Sequence, residues 1–175
     1  MLFYDGGNIN MPPIKQIIKH QVIEKAYEIV RCEGYPSLTA RRLAKELNCS
    51  TQPIYQAFAD MKELKFELIK IAQANMLSYI IDKSDKDLPK ELSYILSYIQ
   101  FARKEKNLFQ LIFTSGGLDF SAMNGLGTTN MNLDINMIVY ANGIIMMQAY
   151  HSIELPDDKI KAMLRNAYEL FARSK

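Results

Sequence analysis

The chain has 175 residues, of which 49% are hydrophobic and 23% are charged, and its formal net charge is only +2. This composition excludes an intrinsically disordered chain, and the length suffices for one substantial core shared by two functional parts. The small net charge excludes a chain that is basic throughout, so the distribution of charge matters more than its sum. Residues 15–70 contain ten Lys or Arg and seven Asp or Glu, an excess of three positive charges.

The sequence predicts neither a metal site nor a membrane segment. Cys32 and Cys49 lack the paired spacing of zinc ligands, and we interpret both as small structural residues. Residues 1–13 form a predicted flexible leader without the order of a secretion signal, so we expect a cytoplasmic protein. Several Asn residues, a Gly and a Gln interrupt the weakly charged stretch 120–153, which favours burial inside protein over a membrane span.

In chain order, the first predicted elements are three helices. Two prolines suit a helix entry, and apolar residues at three- and four-residue steps predict a first helix from Ile14 that ends at Gly34. Thr39 is placed to cap a second helix, and residues 48–49 form a turn. Ser50 is expected to cap a third helix that carries a proline in its first turn.

Asp60 is expected to cap a fourth, long helix that starts near Met61. A fifth helix is predicted over 88–106 and a sixth over 107–114. The following loop, 116–129, contains four glycines and has room for one irregular helical turn. Two long helices follow, over about 131–153 and, after the expected caps Asp157 and Asp158, over 159–172. Alternation typical of strands is absent, so the predicted fold class is all-α.

The stretch 35–64 has the pattern of a helix-turn-helix, in which the second of two short helices enters a DNA groove. Polar groups at the start of such a helix contact phosphates and base edges. The residues that provide them here are Ser50, Thr51, Gln52, Tyr55 and Gln56. A DNA-binding element is therefore predicted.

The order of these residues resembles the tetracycline-repressor (TetR/AcrR) family of transcriptional regulators. The motifs are Ile23-x-x-Ala26, Gly34-Tyr35, Leu38-Thr39-x-x-x-Leu43-Ala44, Cys49-Ser50, Ile54-Tyr55-x-x-Phe58 and Lys62-Glu63-Leu64. They cover residues 18–68. The resemblance implies a helix-turn-helix DNA-binding domain at 14–60 and a helical ligand-binding and dimerisation domain at 61–175, with about nine helices in all.

The resemblance also implies roles for single residues. Thr39 and Tyr55 match phosphate-contacting positions, and residues 51–53 match positions that face base edges. The amide of Gln52 can pair with N6 and N7 of adenine. The predicted DNA-contacting residues are Thr39, Arg41, Ser50, Thr51, Gln52, Pro53, Tyr55, Gln56 and Lys62.

Some features leave two interpretations open or depart from the family pattern. Tyr55 is either a phosphate contact or a core residue, whereas Phe58 is interpreted as core. Family members commonly have a glycine where Gln52 or Pro53 stands. They also have a lysine where Met61 stands, so Lys62 must reach across or the grip on DNA is looser.

Aromatic and Met residues in the C-terminal part fit two interpretations, a packed core or an apolar pocket with polar tips. The resemblance implies a pocket that senses a small molecule. The candidate pocket residues are Tyr79, Tyr94, Tyr98, Phe101, Phe109, Phe113, Met137, Tyr140 and Met147.

The resemblance further implies that the last two helices pair with their copies in a homodimer. Two recognition helices on two half-sites also give more affinity and specificity than one. The candidate interface residues are Tyr140, Gly143, Ile144, Met147, Ile160, Met163, Leu164, Ala167 and Leu170.

No catalytic constellation is recognisable, and the two histidines, His20 and His151, do not converge with other ligands. The predicted function is a sequence-specific DNA-binding regulator, a repressor released from its operator by a small apolar or aromatic ligand. Its predicted partners are operator DNA, a second copy and an unidentified effector, with no cofactor, metal or membrane. The alternative hypothesis is a helical protein-interaction module that does not bind DNA.

Overall fold

A computed structural model describes residues 19–116, 131–150 and 154–173, and these ranges contain eight α-helices, one 3₁₀ turn at Tyr35–Ser37 and no strand. The helices are α1 (Lys19–Glu33), α2 (Ala40–Glu46), α3 (Gln52–Ala57), α4 (Met61–Asp82), α5 (Lys90–Lys104), α6 (Lys106–Thr114), α7 (Met131–Ala149) and α8 (Asp157–Arg173). The predicted all-α fold class is confirmed. The predicted leader and most of the loop 116–129 lie outside the described residues.

Helix α1 ends where the sequence predicted. Gly34 has φ 84°, a conformation that costs a residue without Cβ little, and its N–H donates to the Val30 carbonyl at 2.9 Å. One face of α1 is buried through Val22, Ala26 and Ile29. The predicted start at Ile14 lies outside the described residues.

Helix α4 connects the three N-terminal helices to the rest of the protein. The carboxylate Oδ1 of Asp60 accepts hydrogen bonds from the N–H groups of Lys62 and Glu63, both at 2.8 Å, so the predicted cap is confirmed. The buried residues follow one another at four-residue steps: Leu64, Leu68, Ala72, Met76 and Ile80. Because each such step advances about 40° around a helix, the buried line rotates. Helix α4 therefore packs against α1 and also against α5 and α6.

A corner separates α5 from α6, and it comes earlier than predicted. Glu105 leaves the helical conformation (φ −115°, ψ 53°), so α5 ends at Lys104 instead of continuing to residue 106. The main chain still closes hydrogen bonds on both sides, from Glu105 N to Phe101 O and from Phe109 N to Glu105 O, both at 2.8 Å. The corner directs α6 back towards α1 and α4.

Helices α7 and α8 pack against each other and against α5. Helix α8 begins at Asp157, so Asp157 and Asp158 lie in its first turn and are not caps as predicted. Their charges favour that turn because the helix dipole is positive there. Asp157 also accepts a hydrogen bond from Arg103 of α5. The predicted end of the preceding helix at residue 153 lies outside the described residues. Within the described ranges, no helix is both long and apolar enough to cross a bilayer.

Candidate nucleic-acid interface

The second and third helices form a helix-turn-helix, and buried apolar side chains hold them together. Leu43 on α2 and Ile54 on α3 are fully or almost fully buried, and Phe58, just after α3, is 2% exposed. Thr39 caps α2 as predicted, because its Oγ1 accepts the N–H of Arg42 at 3.1 Å. Asn48 makes the turn with φ 52°, in the left-handed region that Asn tolerates. The turn and the predicted core interpretation of Phe58 are confirmed.

The predicted cap of the third helix is wrong. Helix α3 begins at Gln52, and the residue before it is Thr51, not Ser50. Thr51 already has helical angles (φ −73°, ψ −15°), whereas a capping side chain needs an extended backbone to reach the first turn. Its hydroxyl therefore makes no capping hydrogen bond. Ser50 is exposed next to it.

The exposed surface of α3 is polar. Tyr55 is 52% exposed, which excludes its interpretation as a core residue. Gln52 and Gln56 are also exposed, and Thr51 and Pro53 are half-buried. The helix is anchored by its apolar side and presents amide and hydroxyl groups on the other side, as contact with phosphates and base edges requires.

Three cations near this surface are available to an anionic partner. Among the described residues, the exposed side chains of Arg41, Lys45 and Lys62 form no ion pair. The sequence prediction did not include Lys45, although it follows Arg41 by four residues and so lies on the same side of α2. Met61 is half-buried against the core, so the positive charge at the start of α4 comes from Lys62.

Two neighbouring cations, Arg42 and Lys19, form ion pairs with glutamates. Arg42 Nη2 lies 2.9 Å from Glu33 and 3.2 Å from Glu46, and Lys19 Nζ lies 3.6 Å from Glu63. These ion pairs join α2 to the end of α1 and the start of α1 to α4. We therefore assign these residues to the scaffold of the helix-turn-helix.

A cleft of about 280 Å³ lies between α1 and the turn after α2. Its lining includes the carboxylates of Glu24, Glu28 and Glu46, with Lys25 as its one cation. Such a surface repels phosphate, so we do not assign it to the candidate interface. Among the described residues, no group of His, Cys, Asp and Glu is arranged to hold a metal ion.

Several candidate pocket residues contact one another through their aromatic rings. Tyr98 is fully buried on α5 and donates its hydroxyl to Asn142 Oδ1 of α7 at 2.8 Å. Its ring meets Phe109 edge-on at 5.5 Å, and Phe109 stacks on Phe113 at 5.9 Å. Burial raises the pKa of the Tyr98 hydroxyl far above its usual range. Tyr98 is therefore neutral and hydrogen-bonded.

The other candidate pocket residues are more dispersed. The rings of Tyr79 and Phe101 are 5.6 Å apart, and Tyr94 and Tyr140 are half-buried. Met137 is fully buried. Met147 is exposed and therefore lies at the surface, not in the interior as a pocket residue would.

Four of the predicted interface residues are instead part of the core of the protomer. Ile144, Ile160, Leu164 and Ala167 are at most 5% exposed, because α7 and α8 use these side chains to pack on each other and on α5. Tyr140 and Met163 are half-buried, and Gly143, Met147 and Leu170 are exposed. The described surface of α7 carries further apolar residues that the prediction missed.

These residues follow one line along α7. We call them the α7 stripe: Ile135, Val139, Gly143, Met146, Met147 and, just after the helix, Tyr150. Val139 is 66% and Tyr150 74% exposed. A Cβ on Gly143 would meet no atom of the described residues within 4 Å. The exposed side chains recur at three- and four-residue steps, as expected for one face of a helix. Because α7 is apolar on both faces, however, its sequence does not distinguish the inner face from the outer face.

No protein-family model matches the sequence, and comparison with curated proteins finds no match either. Solved structures do match. A TetR-family member from Streptomyces coelicolor A3 has a TM-score of 0.62 and 13% identity, over 85% of this chain and 96% of that one. A TetR-like transcriptional regulator from Rhodococcus sp. RHA1 has a TM-score of 0.60 and 12% identity, over 90% and 96%.

A TetR-family protein from Vibrio parahaemolyticus is similar as well, with a TM-score of 0.55 and 15% identity, over 86% of this chain and 96% of that one. Each of the three matches covers at least 85% of this chain. The chain therefore has the fold of the TetR-family transcriptional regulators.

Proposed function

We propose that the chain is a DNA-binding transcriptional regulator that acts as a homodimer and is released from its operator by a small apolar or aromatic molecule. The observation that carries this proposal is α3, a six-residue helix held by buried Ile54 and Phe58 that presents Gln52, Tyr55 and Gln56 to solvent. The side chains on the exposed side of this helix are not needed to pack it against the protein. Its amides and hydroxyl suit the major groove.

Charge supports the same partner. Arg41, Lys45 and Lys62 lie on the elements that flank α3 and are not neutralised by carboxylates within the described part of the chain. Phosphate contacts by such cations release counterions from DNA, so binding weakens as salt concentration rises.

Gel-shift titration of the promoter fragment beside the protein's own gene, at several salt concentrations, tests DNA binding. We expect specific binding whose logarithm falls linearly with the logarithm of salt concentration. A scrambled fragment of equal length is the control. Equal affinity for both fragments, or no binding, would contradict the proposal and favour the protein-interaction alternative.

The homodimer is proposed to form through the α7 stripe together with the exposed Leu170 of α8. Gly143 supports this placement. A glycine inside a helix is less favourable than alanine by about 1 kcal/mol, and no described residue of the protomer occupies the space of its missing side chain. A second helix packed against the stripe would use that space. Two copies of α3 would then contact two half-sites.

The effector is proposed to act among α5, α6 and α7. Among the residues of these helices whose burial is described, the buried ones are apolar apart from Tyr98 and two serines of α5, Ser93 and Ser97, so the region favours an uncharged molecule. The Tyr98 hydroxyl and Asn142 are the polar groups such a molecule would meet. An effector must prefer one state of the protein, so a molecule that binds without changing operator affinity would contradict this part of the proposal.

A further inference from the structure

Helix α4 carries a row of apolar side chains on its outer surface. Phe66 is 58% and Ile81 is 50% exposed, Ala74 is exposed and Leu77 is half-buried. Their spacing along the chain is that of neighbours on one side of a helix. We call Phe66, Ala74, Leu77 and Ile81 the α4 stripe. The stripe is about 22 Å long, at a rise of about 1.5 Å per residue.

Another side of α4 is apolar as well, and the core of the protein covers it. That side consists of Leu64, Leu68, Ala72, Met76 and Ile80, all of them buried. A helix that is apolar on two sides is normally covered on both. Single apolar residues at a surface need no explanation, but a row of them marks a contact site. The α4 stripe therefore requires an apolar partner.

The chemistry of the stripe favours an aromatic partner. The Nζ of Lys70 lies 4.4 Å from the centroid of the Phe66 ring and 3.3 Å from a carboxylate oxygen of Glu67. The lysine is thus held beside the ring, and more than half of Phe66 stays open. A second aromatic ring can pack against the open part of Phe66 and also attract the neighbouring ammonium group.

The chain enters the described structure beside one end of this stripe. Lys19 is the first described residue. Its Nζ lies 3.6 Å from Glu63 Oε1 and 4.6 Å from the centroid of the Phe58 ring. Glu63 precedes Phe66 by three residues and is its neighbour on the surface of α4. Residues 1–18 are therefore attached next to the N-terminal end of the α4 stripe.

The attached segment has the apolar and aromatic residues that the stripe requires. Leu2, Phe3 and Tyr4 are consecutive, and we call them the N-terminal cluster. Residues 5–13 separate them from Ile14, where the sequence predicts the start of the first helix. This connection reaches about 30 Å when extended, which exceeds the length of the stripe. Covalent attachment also gives the cluster an effective concentration in the millimolar range, so a weak contact suffices.

We propose that the segment before α1 folds back along α4 of the same chain and that the N-terminal cluster packs on the α4 stripe. The segment then acts as a strap on the helix that connects the helix-turn-helix to α5 and α6. Burial of apolar surface by the strap stabilises α4. The inference goes beyond the proposed function and does not depend on it, because the contact needs neither DNA nor an effector.

The fluorescence of a single tryptophan tests the contact, because the natural chain contains no Trp. Emission from Phe3→Trp in the folded full-length chain should lie at a shorter wavelength than emission from the same chain unfolded in urea. The shift should be lost when Phe66→Lys and Ala74→Lys are added, because both place a charge on the stripe. These two positions are exposed, so the fold should persist, and circular dichroism checks that it does.

The matched control adds Val139→Lys to Phe3→Trp, because Val139 is an exposed apolar residue on α7. This variant should keep the shift. Unshifted emission from Phe3→Trp itself would overturn the inference. A shift that survives Phe66→Lys/Ala74→Lys would overturn it too, since the indole would then be buried elsewhere. A shift that is lost in Val139→Lys would place the cluster on α7 or on a second copy, which also contradicts the proposal.

Hydrogen exchange followed by mass spectrometry gives a second measurement without tryptophan. The triple variant Leu2→Ser/Phe3→Ser/Tyr4→Ser should exchange faster than the wild type in peptides from α4, while peptides from α7 and α8 keep their rates. The control is Asn8→Ser/Asn10→Ser, which alters the same segment without removing an apolar side chain. Wild-type exchange in α4 of the triple variant, equal acceleration in all helices, or the same acceleration in the control would each contradict the strap.

Discussion

At the scale of single residues, the hydroxyl of Thr39 can serve the fold and the DNA at once. Its oxygen accepts the N–H of Arg42, which stabilises the start of α2. The hydroxyl proton is still free to be donated to a phosphate oxygen, since a hydroxyl both donates and accepts. A substitution that keeps the acceptor but adds negative charge should therefore separate the two tasks.

We expect Thr39→Asp to fold with nearly unchanged stability, because Asp is as good a cap as Thr, and to lose most of its affinity for DNA by repelling phosphate. Thr39→Ala should lose about 1 kcal/mol of unfolding free energy together with the phosphate contact. Thr39→Ser is the control that keeps both. Urea denaturation and gel shifts measure the two effects, and wild-type affinity in Thr39→Asp would contradict the phosphate contact.

Gln52 and Tyr55 should differ in how their loss affects sequence preference. Gln52→Ala is expected to cost about 1 to 3 kcal/mol at one base pair and to relax the preference there. Tyr55→Phe, which removes only a hydroxyl, should weaken binding to all sequences similarly. Binding measured on a set of single-base operator variants distinguishes the two patterns, and wild-type binding by both variants would refute the assignment of α3.

At the scale of elements, the turn between α2 and α3 depends on a left-handed residue that is not glycine. Asn48 has φ 52°, and its N–H donates to the Lys45 carbonyl at 3.2 Å. Asn48→Ala should lower the free energy of unfolding by about 1 kcal/mol, because Ala lacks the short polar side chain that lets Asn adopt the left-handed conformation. Asn48→Gly should change it little, and denaturation of both variants checks the difference. Equal stability of the Ala variant would contradict the strain.

The elements that the sequence predicts well are those determined by neighbouring residues. Thr39 and Asp60 cap helices because the groups they bond lie two or three residues away. The end of α5 at Lys104 escaped prediction because Glu105 is held by Arg31, 74 residues earlier, and no local pattern shows this contact. The prediction that Ser50 is a cap was wrong for a local reason: Thr51, the next residue, precedes Gln52 at the start of α3 and already has helical angles.

At the scale of the whole molecule, an apolar helix leaves open which side faces inward. The sequence predicted that α7 and α8 form an interface, but it assigned Ile144 and Leu164 to the partner, and the protomer buries them. Only the packing of α5, α7 and α8 on one another distinguishes these residues from Val139. The same limit applies to the candidate DNA contacts: their exposure is visible in the structure, and their contacts with bases and phosphates stay predictions.

Val139→Arg should break the proposed homodimer without unfolding the protomer, because this side chain is exposed on the α7 stripe. We expect a monomer in analytical ultracentrifugation and weaker operator binding, since one head covers one half-site. Ile81→Arg is the matched control, because Ile81 is a similarly exposed apolar residue on α4. A dimer that persists in Val139→Arg would place the interface elsewhere.

The buried hydroxyl of Tyr98 predicts how stability depends on pH. Its pKa is raised in the folded state by burial, above the value of about 10 of an unfolded chain. The stabilising contribution is complete below that pH and is lost as pH rises, because the unfolded tyrosine ionises first. Urea denaturation at about pH 9 and about pH 11 should show a steeper loss for the wild type than for Tyr98→Phe. Equal losses would contradict this.

The division of α3 into a buried side and an exposed side has a consequence for how such a regulator changes over time. Ile54 and Phe58 attach α3 to the core, while Gln52 and Gln56 are exposed. Substitutions at the exposed positions therefore alter the target sequence at little cost in stability, because surface changes are usually small. Descendants of one gene can acquire different operators while inheriting the same scaffold.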